Sequence, residues 1–212
     1  MRVAVLGTGV VGKALGDGFL ALGHEVRMGT RDAANPKAME WAMDRPRASS
    51  GSFADAAQFG ELLALCTSGT ANKEVLASIP GEALKGKLLL DATMPLEFST
   101  GEPRLCLGHT DSGGEEVQRA APSAYVVKCF NTVGASLMFQ PKLEGGRPDM
   151  FIAGNSDEAK EKTRALLDEF GWGTIDLGGI EASRYLEAMA MAWALHGVNS
   201  GSWGHAFKML HK

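Results

Sequence analysis

Arg2-Val3-Ala4-Val5-Leu6-Gly7-Thr8-Gly9-Val10-Val11-Gly12 joins a short β-branched, apolar run to a glycine-rich loop. Beyond it Val11, Ala14, Leu15, Phe19 and Leu22 recur at helical spacing until Gly23 stops the pattern. The order is strand, tight loop, helix, which is the context a G-x-G-x-x-G spacing needs before it carries meaning. The first glycine permits the turn, the second lets the backbone approach a pyrophosphate, and the third lets helix and strand pack closely. Free amides at the helix start and the helix dipole favour the anion. Gly7, Thr8, Gly9, Val10, Val11 and Gly12 are therefore the expected pyrophosphate loop of a dinucleotide site.

Working outward, strand-like runs follow at 25–28, 62–66, 87–91 and 124–130, with helical patterns at 35–43, 71–79 and 114–121. Strands alternating with helices predict an α/β fold, a doubly wound Rossmann-type, mostly parallel sheet with right-handed crossovers. Residues 1–148 form the expected dinucleotide-binding core. A strand at 150–153, a helix from Ser156 to Gly171, a strand at 174–177 and a final helix at 182–196 make a small C-terminal α/β extension, 149–212, on the same sheet. In that last helix Leu186, Met189, Ala190 and Trp193 make one apolar face, and Ala188, Met191, Ala192 and Leu195 another. A helix apolar all round needs cover on several sides. The tail bearing Trp203, Phe207 and Leu210 could supply it, or a second subunit; a homodimer is the expectation, cyclic dimers being the commonest oligomers.

The 212 residues carry a formal net charge of -4 with both signs mixed throughout, so no basic stripe addresses nucleic acid and no polybasic segment a membrane surface. Apolar stretches are broken by Gly, Asp or Lys well short of a bilayer span, and the start runs into a strand without a signal-peptide pattern. A cytoplasmic protein acting on small molecules is expected. Cys66, Cys106 and Cys129 are odd in number and lack C-x-x-C spacing, which argues against a disulfide or metal site, and the two that sit inside apolar strand-like runs are expected to be buried reduced thiols. His24, His196, His205 and His211 read as structural. His109 and Asp111 precede a helix; without further ligands they predict a polar loop over the site, not a metal pair.

Which dinucleotide binds is decided at the end of the second strand, where an NAD enzyme presents Asp or Glu to the ribose. Here the chain reads Met28-Gly29-Thr30-Arg31-Asp32, then Lys37. Thr30, Arg31 and Lys37 offer a hydroxyl, a guanidinium and an ammonium, a clamp suited to a 2′-phosphate, so NADP is predicted. Asp32 could take the ribose instead or merely begin a turn.

Several segments in this order resemble the coenzyme F420-dependent NADP oxidoreductases, and also the cytosolic domain of six-transmembrane metalloreductases. They are the first nine residues, Gly29-Thr30-Arg31, Leu88 to Leu96, Val126 to Ala135, Phe151 to Asn155 and Ser183 to Glu187. The resemblance implies that Thr8, Thr30, Arg31 and Lys37 bind the 2′-phosphate and that Val133 and Ala135 lie against the nicotinamide. Where the archaeal members carry a histidine beside the deazaflavin this chain has Asn131. The implied acceptor is accordingly a flavin-like molecule, coenzyme F420 or FMN/FAD.

In an open parallel sheet the ligand lies beyond the carboxyl ends of the strands. Cys66-Thr67-Ser68-Gly69, Ala92-Thr93-Met94-Pro95 and Asn131-Thr132-Val133-Gly134 fall there. Thr67 and Ser68 join the cofactor set, while Thr93, Met94, Pro95, Asn131, Val133 and Ala135 form the expected platform for nicotinamide and acceptor ring. No Ser-His-Asp, Cys-His or lysine constellation stands out nearby, and hydride transfer between two rings needs none. Two other readings compete: a non-catalytic NADPH sensor, and a β-hydroxyacid-type dehydrogenase. The second needs a large helical domain with a catalytic lysine, for which the 57 residues after Asn155 leave little room.

Overall fold

The computed structural model describes residues 1–97 and 103–210. His211 lies outside them. In chain order the strands are β1 (Arg2–Leu6), β2 (Glu25–Thr30), β3 (Ala48–Ser52), β4 (Leu62–Leu65), β5 (Leu88–Asp91), β6 (Leu96–Glu97), β7 (Arg104–Leu105), β8 (Tyr125–Lys128), β9 (Asp149–Gly154) and β10 (Gly173–Asp176). The helices are α1 (Val10–Ala21), α2 (Pro36–Met43), α3 (Phe53–Phe59), α4 (Asn72–Ala77), α5 (Gly81–Leu84), α6 (Gly113–Ala120), α7 (Asp157–Glu169) and α8 (Ser183–Ser200).

Eight strands form one sheet in the order β10-β9-β8-β5-β4-β1-β2-β3, and β6 and β7 pair separately. All neighbours run parallel except β8 and β9, so the extension joins the same sheet in the opposite direction. Strands buried on both faces explain the nearly unbroken apolar runs of β1, β4 and β5. Alternate residues feed two cores. Val3, Val5, Ala64 and Leu90 meet α1, α2 and α7 through Leu15, Phe19, Trp41 and Phe170. Ala4, Leu6, Leu63 and Leu89 meet α3 to α6 through Phe53, Ala56, Val75 and Val117. The rings of Phe19 and Phe170 meet edge to face at 4.9 Å, a geometry worth about 0.5–1.5 kcal/mol beyond area burial.

The sequence reading did not place β3, α3, the one-turn α5 or the short β6–β7 pair. β3 is Ala48-Ser-Ser-Gly-Ser52, with no apolar run, and exists because β2 offers a parallel edge from Val26 to Thr30. α3 follows it at once, started by a capping box between Ser52 and Asp55.

The tail covers one side of α8. Trp203 lies against Gly197, the Trp193 and His205 rings stack at 5.1 Å, and Phe207 meets Phe151. The other side stays open, with Tyr185, Ala188, Ala192 and Leu195 exposed along one stripe. Among the described residues no helix is long and apolar enough to cross a membrane.

Candidate active site

The glycine loop takes the form its spacing implies. Gly7 has φ +128°, and a Cβ there would sit 2.6 Å from the Cys66 carbonyl oxygen, so no other residue fits. A Cβ on Gly12 would lie 2.1 Å from the Gly7 oxygen, which is the close approach of helix to strand. Gly9 differs, because its Cβ would meet nothing within 4 Å. It is the N-cap of α1 without a side-chain cap, and the first helical bond runs from Lys13 N–H to the Gly9 carbonyl at 3.0 Å. The amides of Val10, Val11 and Gly12 belong to the first turn of α1 and have no intrahelical partner, with the positive end of the dipole behind them.

At the end of β2, Thr30 is buried and its hydroxyl donates to the Asp32 carbonyl. Asp32 begins a turn, accepting from Ala34 N–H at 3.0 Å. Arg31 is exposed beside Glu74, with 3.4 Å between nitrogen and oxygen, and with Ser52, Phe53 and Val75 they line a cavity of about 190 Å³. Glu74, Ser52 and Phe53 were missed in the sequence, because β3, α3 and the start of α4 bring them there. Lys37 sits in the first turn of α2, exposed and outside that lining.

A second cavity, about 290 Å³, opens over the carboxyl ends of β4, β5 and β8. Thr67, Ser68, Thr93, Met94, Asn131 and Val133 all line it. Val11 of the glycine loop and Gly69 also line it, as does Met138, which the sequence did not point to. Pro95 and Ala135 are not in the lining. Pro95 instead packs over Gly113, and Ala135 opens a short 3₁₀ turn beyond the platform. His109 is exposed outside this cavity with φ +58°, and among the described residues no cluster of metal-ligating side chains occurs.

Asn131 is aimed by its neighbour: Phe130, at φ +61°, holds a left-handed turn that a buried phenylalanine rarely adopts. The Asn131 amide nitrogen then donates to the Leu186 carbonyl at 2.8 Å, while its oxygen is buried without a partner.

Behind the cavity lies a buried charge cluster that the sequence did not reveal. Lys128, Asp91 and Glu187 come from β8, β5 and α8 and are at most 1% exposed. The Lys128 ammonium reaches the Thr93 carbonyl at 2.6 Å, Glu187 at 2.9 Å and Asp91 at 3.0 Å, which uses all three of its protons. Burial alone would push its pKa down, but Asp91 and Glu187 more than offset that and hold it above the ordinary lysine value. A saturated ammonium is no proton donor to the cavity. Burial likewise pushes the Cys66 and Cys129 thiols up, with Asp91 adding to it, so neither is a ready thiolate. Cys106, outside the apolar strand-like runs, is exposed in the 106–110 loop.

α8 is anchored beside this cluster. Arg184 donates to both oxygens of Glu115, and Glu115 also accepts from Ser112 at 2.7 Å. The Arg184 hydrogen bonds hold the Glu115 carboxyl below its ordinary value of 4.5, against a smaller opposing effect of burial. A depressed folded value means stability that is present above about pH 4.5 and lost as pH falls through the folded value. Urea unfolding midpoints should therefore drop below pH 4.5, and Arg184→Met should flatten that drop; an unchanged slope in the variant would refute the assignment.

Fold and glycine loop together define a doubly wound α/β protein of the Rossmann type, with its cavities where such sheets bind ligands. A family model described as NADP oxidoreductase, coenzyme F420-dependent, matches residues 2–95. The F420-dependent NADP reductase of Methanothermobacter marburgensis is 32% identical over 88% of this chain and 88% of its own length. The chain belongs to the family of coenzyme F420-dependent NADP oxidoreductases. A crystal structure from Arthrobacter sp. FB24, provisionally described as an F420-dependent NADP reductase, is 38% identical and superposes with a TM-score of 0.93, covering 100% of both chains. A reductive aminase from Aspergillus terreus, 20% identical with a TM-score of 0.68, shares the fold over 94% of this chain and 62% of its own.

Proposed function

We propose that this protein transfers hydride between NADPH and a flavin-like acceptor, coenzyme F420 or FMN/FAD. The observation that carries the reading is the cavity beyond β4, β5 and β8. Val11 at the start of α1 lines it too, and the cavity walls are apolar or neutral side chains throughout. None of the cavity residues in the described chain is a free acid or base. The names of the archaeal and Arthrobacter relatives support the same reaction. When bound, NADPH supplies the hydride and the acceptor ring takes it, so the protein's own work is to position and to exclude water. Val10, Val11 and Gly12 amides would hold the pyrophosphate, with Thr8 beside them. Thr30 and Arg31 would hold the 2′-phosphate, and Lys37 would reach it from α2. Thr67, Ser68, Thr93, Met94, Asn131 and Val133 would frame the rings.

Stopped-flow oxidation of NADPH with coenzyme F420, FMN and FAD tests the reading directly. Reduction of at least one is expected. Reduction of none, with NADPH still binding, would favour the sensor reading. Asn131→Ala is expected to raise KM for the acceptor about three- to tenfold, the cost of one neutral hydrogen bond, while NADPH affinity changes less than twofold. A larger loss for NADPH would assign Asn131 to the nicotinamide instead.

The exposed stripe of α8 supports a homodimer with a second copy over Tyr185, Ala188, Ala192 and Leu195; Tyr185 is 69% exposed and Leu195 53%. Analytical ultracentrifugation should give a dimer that Leu195→Glu converts to monomer. The cytoplasm, where NADPH and reduced thiols are both maintained, is the proposed compartment.

A further inference from the structure

A directed chain of hydrogen bonds connects the buried charges to the cavity wall. Asp91 offers two carboxylate oxygens, and each faces an obligate donor: Oδ2 the Lys128 ammonium at 3.0 Å, Oδ1 the backbone N–H of Thr93 at 3.0 Å. Asp91 therefore acts as an acceptor at both oxygens, and the Thr93 hydroxyl, 2.6 Å from Oδ1, must spend its proton on it. What remains on that hydroxyl is acceptor capacity. The Asn72 amide 2.7 Å away must then turn its NH₂ towards Thr93, which orients an amide whose two ends are otherwise hard to tell apart. Its oxygen is left facing the Thr67 hydroxyl at 2.9 Å, so Thr67 must also spend its proton inward. Asn72 and Thr93 are 2% exposed, which keeps water from relaxing these choices.

Across the cavity Asn131 reaches the same polarity by another route. The Leu186 carbonyl can only accept, so it takes the Asn131 NH₂ and leaves the amide oxygen as the group without a partner. Asn131 is more than nine-tenths buried, and a buried acceptor left unpaired is costly until a ligand donor arrives.

We propose that the Lys128–Asp91 pair dictates, through Thr93 and Asn72, that Thr67 faces the cavity as an acceptor only. With the locked oxygen of Asn131, the cavity then selects a ring edge that carries N–H donors. Lys128, Asp91 and Asn72 are positioning residues here, setting the hydrogen-bond polarity of the wall without touching the ligand. Two ligands of the proposed reaction carry such an edge: the carboxamide NH₂ of the nicotinamide and the imide N–H of a flavin-type ring. The inference rests on the hydride-transfer reading for these two candidates, and it is read by equilibrium binding so that absent turnover counts against that reading alone.

The nucleotide arm compares NADP with its 3-acetylpyridine analogue, in which a methyl replaces the NH₂, by titration calorimetry. The flavin arm compares lumiflavin with 3-methyl-lumiflavin, in which the imide N–H is blocked, by flavin fluorescence. In one arm the donor-bearing ligand should bind at least about tenfold more tightly, and that arm identifies the source of the donor. Asn72→Leu, which frees the Thr67 proton to turn outward, should lower that ratio about threefold or more. Thr67→Ser, which keeps the same polarity, should preserve it, a distinction that a merely structural role for Thr67 would not make. Melting curves establish that the variants are folded, and Thr67→Val, isosteric at a half-buried position, should lower the ratio as well if Asn72→Leu does not fold. Equal affinities within both ligand pairs, or a ratio unmoved in a folded Asn72→Leu or Thr67→Val variant, would overturn the proposal.

Discussion

Gly9→Val is expected to lower the affinity for NADPH and NADH alike by about a hundredfold or more while the protein stays folded. Gly9 has φ -72° and ψ 179°, extended values that valine adopts readily, and its Cβ would enter space empty to 4 Å. Nothing in the protein is disturbed. The shorter list of unfolded conformations should even stabilise the variant slightly, by about 0.4–1 kcal/mol. The same space is where a pyrophosphate must come to reach the amides of Val10, Val11 and Gly12. Each hydrogen bond to a charged group is worth about 1.5–3 kcal/mol, so losing two costs the stated factor at least. Calorimetry with both nucleotides, beside a melting curve, reads the two halves separately. Gly12→Ala is the contrasting control, since a Cβ 2.1 Å from the Gly7 oxygen breaks the loop itself and should lower the melting temperature. A folded Gly9→Val protein that binds NADPH as the wild type does would mean that the ligand lies elsewhere.

Arg31→Ala is expected to weaken NADPH about ten- to a hundredfold and to leave NADH within about twofold. The guanidinium is now paired with Glu74 at 3.4 Å, both side chains being at least 70% exposed. An exposed pair of this kind is worth about 0–1 kcal/mol, whereas a bidentate contact with a 2′-phosphate is worth about 1.5–3 kcal/mol per charge-assisted bond. The phosphate wins that competition. Glu74→Gln, which removes the competitor, should tighten NADPH modestly, by less than about fivefold. Equal affinities of the wild type for NADPH and NADH would sink the clamp altogether. Thr30 lends less to it, since its hydroxyl must first give up the Asp32 carbonyl.

Most of the sheet could be read directly from the chain because its strands are short apolar runs punctuated by glycine, aspartate or lysine, as at Leu88 to Asp91. β3 could not, since a small, polar edge strand owes its existence to the partner it pairs with rather than to its own pattern. The reversed direction of β9 also has no local signature: Asp149 to Gly154 would look the same in either orientation. At the cavity, the segments named from the sequence are all present in the wall, but not every side chain in them faces it. Thr93, Met94, Asn131 and Val133 reach the cavity, whereas Pro95 turns to Gly113 and Ala135 falls beyond.

The sequence by itself determined the glycine loop, the cationic end of β2 and the family, because each is a local pattern: a fixed spacing, a run of neighbours, an order of short motifs. Only the tertiary structure decided what stands behind the cavity. Asp91, Lys128 and Glu187 lie on β5, β8 and α8, and nothing along the chain marks them as partners. The strand order β8-β5-β4 and the docking of α8 bring them together at the carboxyl ends. Charges buried there must be paired, and the pairing then orients hydroxyls and amides several bonds away. The donor or acceptor character of Thr67 is thus settled by residues from three other elements, which no local reading of Cys66-Thr67-Ser68-Gly69 could supply.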